Sequence, residues 1–213
     1  MSALGVLGGS FNPPHIGHLE LARHAVPELA LDRVLLMPVY LPPHKPPPAD
    51  DPGPFHRLAM CRALVRGEER VEVSTLEIER GGRSYTVDTL GAVHAGQPDA
   101  ELTLILGADM ACTLPSWRRP RDILSLASIA VAERGPGWDD AESVKARVTA
   151  ALRAIDPETQ PIFLQMPPVD VSSTLVRARL ANGEPVEDLV GPAVAAYIAE
   201  HGLYAPASKA ATR

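Results

Sequence analysis

The sequence predicts an α/β protein: a doubly wound parallel sheet with helices on both faces and a small helical C-terminal part. Two observations lead there. Six short apolar runs with β-branched content recur along the chain, and helical patterns lie between them. Strands that alternate with helices are joined by right-handed crossovers, which lay the strands parallel and cover both faces of the sheet. A third observation sets the end apart, since from Ser172 onward only helical patterns follow.

The elements are read in order. Leu4–Leu7 is an apolar run of strand length, and Gly17–Leu29 is amphipathic and of helix length. Pro27 lacks an N–H and should kink or shorten the end of that helix. Arg33–Met37 is the second strand and Phe55–Arg66 the second long helix. Val71–Ser74, a helix over Thr86–Ala95 and the strand Leu102–Leu106 follow. Met110–Leu114 and Ile123–Ser125 read as short helices before the strand Ile129–Ala132, the helix Ala141–Ile155 and the strand Ile162–Leu164. Ser172–Ala181 is stopped by Asn182-Gly183, and Pro192–His201 by Gly202. The plan is Rossmann-like. Residues 1–204 are expected to form a single domain with 172–204 as its helical subregion, and 205–213 to fray as a tail.

Bulk properties narrow the function classes. The 213 residues carry a net charge of −6, which argues against a general nucleic-acid binder, usually a basic domain. An acidic protein still binds phosphates where its basic residues converge. No run approaches a membrane span, and no basic segment leads a long apolar stretch at the N-terminus. A cytoplasmic protein without membrane or nucleic-acid partners is expected. Cys61 and Cys112 sit in apolar helical stretches and read as buried free thiols.

The chemistry concentrates in Gly8-Gly9-Ser10-Phe11-Asn12-Pro13-Pro14-His15-Ile16-Gly17-His18, between the first strand and the first helix. Glycines let a backbone approach an anion closely, and the free N–H groups at a helix start favour phosphate. Two histidines three residues apart put both imidazoles on one face of the first helical turn. The arrangement suits a held nucleotide and charge developing at its phosphorus. Neither a G-K-[ST] ending nor a G-x-G-x-x-G pattern is present, so a Walker A loop and a dinucleotide fingerprint are both excluded.

Other positions join this turn at the carboxyl edge of the sheet, where ligands of open α/β sheets bind. Pro38–Pro54 holds eight prolines in seventeen residues and reads largely as a stiff connection. It carries Lys45, the only lysine before residue 145, which reads as a phosphate contact closing over the substrate. Ser172 reads as a helix N-cap, with Ser173 and Thr174 on the first turn and Arg177 one turn in, a cradle for β- and γ-phosphates. Asp109 suits ribose hydroxyls or a magnesium-bound water, and equally a plain helix N-cap. Trp117, in a polar and Pro-bounded setting, suits stacking on a flat heteroaromatic ring, with core packing as the alternative. Trp138 reads as a surface-loop residue without a role. No cluster of His, Cys, Asp or Glu has structural zinc spacing.

The turn resembles the G-[ST]-F-[DN]-P-x-H-x-G-H signature of the HxGH nucleotidyltransferase superfamily. Pro42-Pro43-His44-Lys45, Ser84-Tyr85-Thr86, Gly107-Ala108-Asp109, Pro115-Ser116-Trp117 and Val171-Ser172-Ser173-Thr174-Leu175-Val176-Arg177 are similar, in order, to segments of bacterial nicotinate-nucleotide adenylyltransferases. The resemblance covers about residues 4 to 204. It implies adenylyl transfer from ATP to nicotinate mononucleotide, giving nicotinic acid adenine dinucleotide and pyrophosphate in NAD biosynthesis. By motif position it implies that His18 acts at the α-phosphoryl group and His15 at the neighbouring phosphates, so both are carried over as catalytic. Gly8, Gly9, Ser10, Phe11, Asp109, Ser172, Ser173, Thr174 and Arg177 are the implied ATP-binding positions. Lys45, Tyr85, Thr86, Trp117 and Arg118 are those for nicotinate mononucleotide, with Trp117 facing the pyridine ring and Tyr85 and Thr86 meeting its carboxylate.

Two departures from the family pattern stand out. Val171 replaces the usual Ile, and Arg118 stands where an aromatic often follows the Trp. Mg²⁺ is expected to arrive with ATP, held by phosphates rather than by protein side chains. Pantetheine-phosphate adenylyltransferases usually have Thr at the position of His15, and cytidylyltransferases lack the Ser-Tyr-Thr and Pro-Ser-Trp segments. The absence of K-M-S-K argues against a tRNA synthetase fragment. A non-catalytic nucleotide sensor of the same fold is the remaining alternative, and monomer and homodimer are left open.

Overall fold

A computed structural model describes residues 2–43, 46–132, 141–167 and 169–205. Lys45 and Trp138 lie outside the described residues, as does all but the first residue of the expected tail. Six strands form one parallel sheet: β1 (Ala3–Gly9), β2 (Arg33–Pro38), β3 (Val71–Val73), β4 (Glu101–Gly107), β5 (Ser128–Ala132) and β6 (Ile162–Leu164). Their order is β3-β2-β1-β4-β5-β6. All six sit where the apolar runs predict them, each within two residues at either end. The three long inner strands β1, β2 and β4 are buried along most of their length, as a parallel sheet covered on both faces requires.

Ten helices accompany the sheet among the described residues: α1 (Ile16–Glu28), α2 (Pro54–Leu64), α3 (Leu76–Arg80), α4 (Thr86–Gly96), α5 (Ala108–Thr113), α6 (Pro120–Leu126), α7 (Ala141–Arg153), α8 (Ser173–Ala181), α9 (Glu187–Val190) and α10 (Pro192–His201). A 3₁₀ turn over Leu114–Ser116 continues α5. The core divides by sheet face. On one side α1, α2 and α10 pack against Leu7, Val34, Leu36 and Ile105. On the other, α4, α6 and α7 pack against Leu4, Val6, Leu104 and Val131. Gly5 makes room for tight packing at the centre of β1. A Cβ there would come within 2.8–2.9 Å of Leu31, Ile105 and Val34 side chains, closer than packed carbon atoms tolerate.

Some expectations are corrected. α1 runs through Pro27 and ends at Glu28, one residue short of the expected Leu29, since Pro in the last turn forfeits a single ladder bond. α3 and α9 were not expected, being only five and four residues long, too short to show a helical period. The helix expected from Met110 starts instead at Ala108, with Gly107 as its N-cap, so Asp109 is a first-turn residue and not the cap. Both cysteines are free, but only Cys61 is buried; Cys112 is half-buried. Burial pushes the Cys61 thiol well above its ordinary range, which leaves it unreactive.

Candidate active site

In a sheet of this order the strand connections reverse direction between β1 and β4, and a crevice opens beyond their carboxyl ends. A cleft of about 1150 Å³ lies there. It is lined by Gly8, Gly9 and Ser10 after β1, by His15 and His18 at the start of α1, and by Asp109 after β4. Ser172, Ser173 and Thr174 at the start of α8 line it too, as do Tyr85, Thr86, Trp117 and Arg118. Segments as far apart in sequence as Gly8 and Thr174 thus converge on one space. Of the described positions expected to bind substrate, Phe11 and Arg177 alone do not line it.

His15 is the extended N-cap residue of α1 and His18 is the third residue of its first turn. Their ring centroids are 3.7 Å apart and tilted by 31°. The main-chain N–H of His15 donates to His18 Nδ1 at 3.2 Å. That nitrogen is therefore an acceptor, and the neutral imidazole carries its proton on Nε2, the form that donates to an oxyanion. Phe11 is buried and meets the His18 ring edge-on at 4.8 Å, so it supports the imidazole rather than lining the cleft. Gly17 makes this geometry possible. A Cβ there would lie 2.9 Å from Val171 Cγ1 and 3.1 Å from His15 Nδ1.

The start of α8 docks on the signature turn. Ser172 Oγ caps the helix by accepting from the Leu175 N–H at 3.1 Å, as the sequence predicts. Ser173 Oγ donates to the Pro13 carbonyl at 2.8 Å, and Arg177 Nη1 donates to the Asn12 carbonyl at 2.6 Å. Arg177 Nε also lies 3.3 Å from Asp50 Oδ2. Thr174, by contrast, is exposed in the cleft. Thr174 and Arg177 share a helix face but not a partner.

At the other end of the cleft, Tyr85 is the N-cap residue of α4 and Thr86 its first residue, so the positive end of that helix borders the space. The Arg118 guanidinium lies over the Tyr85 ring, 4.6 Å from its centroid, and 3.4 Å from Asp88 Oδ2. Trp117 Nε1 donates to Thr113 Oγ1 at 3.0 Å, which orients an indole that is half-buried and still lines the cleft. Asp109 is exposed in the cleft on the first turn of α5. Among the described residues no group of three or more His, Cys, Asp or Glu could hold a metal ion.

Sequence reasoning missed the support beneath these residues. Asn12, in the middle of the signature, is buried: its Oδ1 accepts from the Tyr204 hydroxyl at 2.6 Å and its Nδ2 donates to Asp51 Oδ2 at 3.2 Å. Burial, and then the nearby Asp51 carboxylate, push the Tyr204 phenol upward, so it stays a donor across the neutral range. Arg57, fully buried in α2, reaches the Ser10 and Val39 carbonyls. The available signal was an arginine among the apolar positions Leu58, Met60, Cys61 and Leu64, where a charge needs partners. Glu77 also lines the cleft floor and is 5% exposed. Desolvation raises its carboxyl above the usual range, against the opposing pull of Ser84, Thr89 and Arg80.

The comparisons agree with this geometry. The family described as Cytidylyltransferase-like matches residues 6–179. That defines the class, a nucleotidyltransferase-type fold with its signature turn after the first strand. A relative from Gemmatimonas aurantiaca named "Probable nicotinate-nucleotide adenylyltransferase" is 41% identical over 207 residues, covering 94% of this chain and 92% of the relative. One of the same name from Dehalococcoides mccartyi is 39% identical, covering 94% and 96%. The chain belongs to the nicotinate-nucleotide adenylyltransferase family. In fold it is similar to Plasmodium falciparum nicotinic acid mononucleotide adenylyltransferase complexed with NaAD, at a TM-score of 0.73 and 18% identity over 96% of this chain and 98% of that one.

Proposed function

We propose that this chain transfers the adenylyl group of ATP to nicotinate mononucleotide, giving nicotinic acid adenine dinucleotide and pyrophosphate as a step of NAD biosynthesis. A phosphate oxygen of the mononucleotide attacks the α-phosphorus in line, the bond to the bridging oxygen of pyrophosphate breaks, and the charge leaves with pyrophosphate. Such a reaction asks the protein for position and charge stabilisation rather than covalent chemistry. The observation that carries the reading is one cleft with two dissimilar ends: a glycine turn with paired imidazoles at one, an aromatic and cationic helix start at the other. Residues 1–204 act as one unit in this reading.

His18 stabilises charge at the α-phosphoryl group through its Nε2 proton, and His15 acts on the neighbouring phosphates. Gly8, Gly9 and Ser10 supply backbone close to the phosphates, and Thr174 a hydroxyl from α8, with Ser172 and Ser173 shaping that helix start. Arg177 acts on the triphosphate if it exchanges Asp50 for phosphate oxygens. Trp117 stacks on the pyridine ring, while Tyr85, Thr86 and Arg118 favour its carboxylate. Mg²⁺ fits here as an ion carried by the nucleotide, because it keeps several waters and needs few carboxylates. Asp109 is suited to hold a water of that ion or the ribose hydroxyls, and the ion itself neutralises phosphate charge. A cytoplasmic location accords with this chemistry, and among the described residues no helix is long and apolar enough to cross a membrane.

Pyrophosphate release measured with a panel of phosphorylated acceptors tests the proposal. Nicotinate mononucleotide is expected to exceed nicotinamide mononucleotide in kcat/KM. Equal or reversed preference would overturn the account of the acceptor end, and silence with every acceptor would leave a nucleotide sensor.

A further inference from the structure

We propose that Arg57 is a positioning residue for adenylyl transfer, fixing the phosphate-side and acceptor-side turns relative to one another from beneath the cleft. The inference rests on the functional reading above. α2 turns Leu58, Met60, Cys61 and Leu64 into the core, and Arg57 lies among these buried residues at 1% exposure. A guanidinium withdrawn from water is costly unless its donors find acceptors. Here each of the three nitrogens does, through four of the five N–H groups. Nη1 donates to the carbonyls of Ser10 at 2.7 Å and Val39 at 2.8 Å, Nη2 to that of Tyr40 at 3.1 Å, and Nε to Asp51 Oδ1 at 3.3 Å.

Ser10 and Val39 line the cleft, whereas Arg57 does not. Their carbonyl oxygens are therefore turned inward onto the cation. A carbonyl oxygen facing a triphosphate would repel it, so this inward turn removes an obstacle to binding. There is a second consequence at Val39. In a trans peptide the N–H points opposite to the C=O, so holding the Val39 oxygen aims the Tyr40 N–H the other way. That N–H donates to Ser84 Oγ at 2.9 Å, and Ser84 immediately precedes Tyr85 and Thr86. One side chain thus grips the Gly9-Ser10 turn directly and the Ser84-Tyr85-Thr86 turn through a single peptide unit. In-line attack needs the reacting atoms of the two substrates about 3–3.5 Å apart. Loss of the grip leaves each half-site able to bind its own ligand and falls on the step that needs both.

The test uses Arg57→Lys, which keeps the charge but cannot fork across several acceptors. The expected result is a fall in kcat of about 10- to 100-fold. Kd for a non-hydrolysable ATP analogue and for nicotinate mononucleotide, each titrated separately, should change by less than about threefold, the split expected of a group acting on relative placement. Ser84→Ala deletes one hydroxyl at the far end of the same path and keeps the test alive if Arg57→Lys does not fold. It should show the same split with a loss of about 3- to 10-fold, and the double variant should fall short of the product of the two losses. A kcat within about twofold of the parent in either folded variant, or a fall accounted for by weaker binding or by fully multiplicative losses, overturns the proposal. If the unmodified protein releases no pyrophosphate with any acceptor, it is the functional reading that fails.

Discussion

The two ends of the cleft are built differently. At the proposed phosphate end, the signature turn is held by buried Arg57 on Ser10 and buried Tyr204 on Asn12, and by half-buried Asp51 on Asn12 and Ser173 and Arg177 on the carbonyls of Pro13 and Asn12. At the proposed acceptor end, buried Ser84 and Thr89 hold the backbone, but the side chains of Tyr85 and Arg118 rest on exposed contacts, the Arg118 guanidinium over the Tyr85 ring and its ion pair with Asp88. Burial makes electrostatic interactions strong and unpaired groups expensive, whereas an exposed ion pair contributes little. The end to which we assign the transfer is therefore more rigidly specified, and the side chains to which we assign acceptor choice are open to adjustment. Arg118, a departure from the family pattern, lies at the adjustable end.

The largest expected effect tests the rigid end. His18→Ala should lower kcat by about 100-fold or more while ATP affinity stays nearly unchanged, since general stabilisation by an imidazole acts mainly in the transition state. Loss of binding without loss of turnover would refute that role. Next, Gly17→Ala should cost about tenfold in kcat/KM, because its Cβ would press on both Val171 and the His15 ring and a misplacement of under an ångström is felt in such a site. Unaltered kinetics in this variant would show that the histidine pair is less tightly held than the contacts indicate.

At the adjustable end the effects shrink. Arg118→Met should reduce the preference for the acid over the amide mononucleotide by about threefold, a modest loss because the guanidinium is exposed. A change larger than the one at Gly17 would invert the contrast between the two ends. The smallest effect concerns stability. Glu77 has a raised carboxyl pKa in the folded protein, caused first by burial, so its contribution is full below its unfolded value and is lost as pH rises through the folded one. Glu77→Gln cannot ionise and keeps an acceptor for Thr89. The difference in Tm between variant and parent should then grow more positive from about pH 4 toward neutrality, and melts showing the opposite slope would refute it.

Much of this was legible in the sequence, for identifiable reasons. The strands are continuous apolar runs because both sheet faces are covered, and the signature turn is read directly because its glycines, histidines and helix start are contiguous. Gly107, Ser172 and the Pro115-Ser116-Trp117 segment fall at strand or helix ends, which the topology carries to the same edge. What escaped were partners joined only by folding. Arg57 looks like a misplaced charge until the carbonyls of Ser10 and Val39 are seen around it, and Tyr204 meets Asn12 across 192 positions. Arg177 shows the complementary limit: helix spacing puts it on the face of Thr174, but length and reach take its guanidinium to Asn12 and Asp50 instead.

The bond from Tyr204 to Asn12 also orders events during synthesis. A ribosome delivers the signature turn 192 residues before its phenolic brace, Tyr204. A nascent chain halted at α10 would display every histidine and glycine of the motif, yet lack the hydroxyl that fastens Asn12 from below.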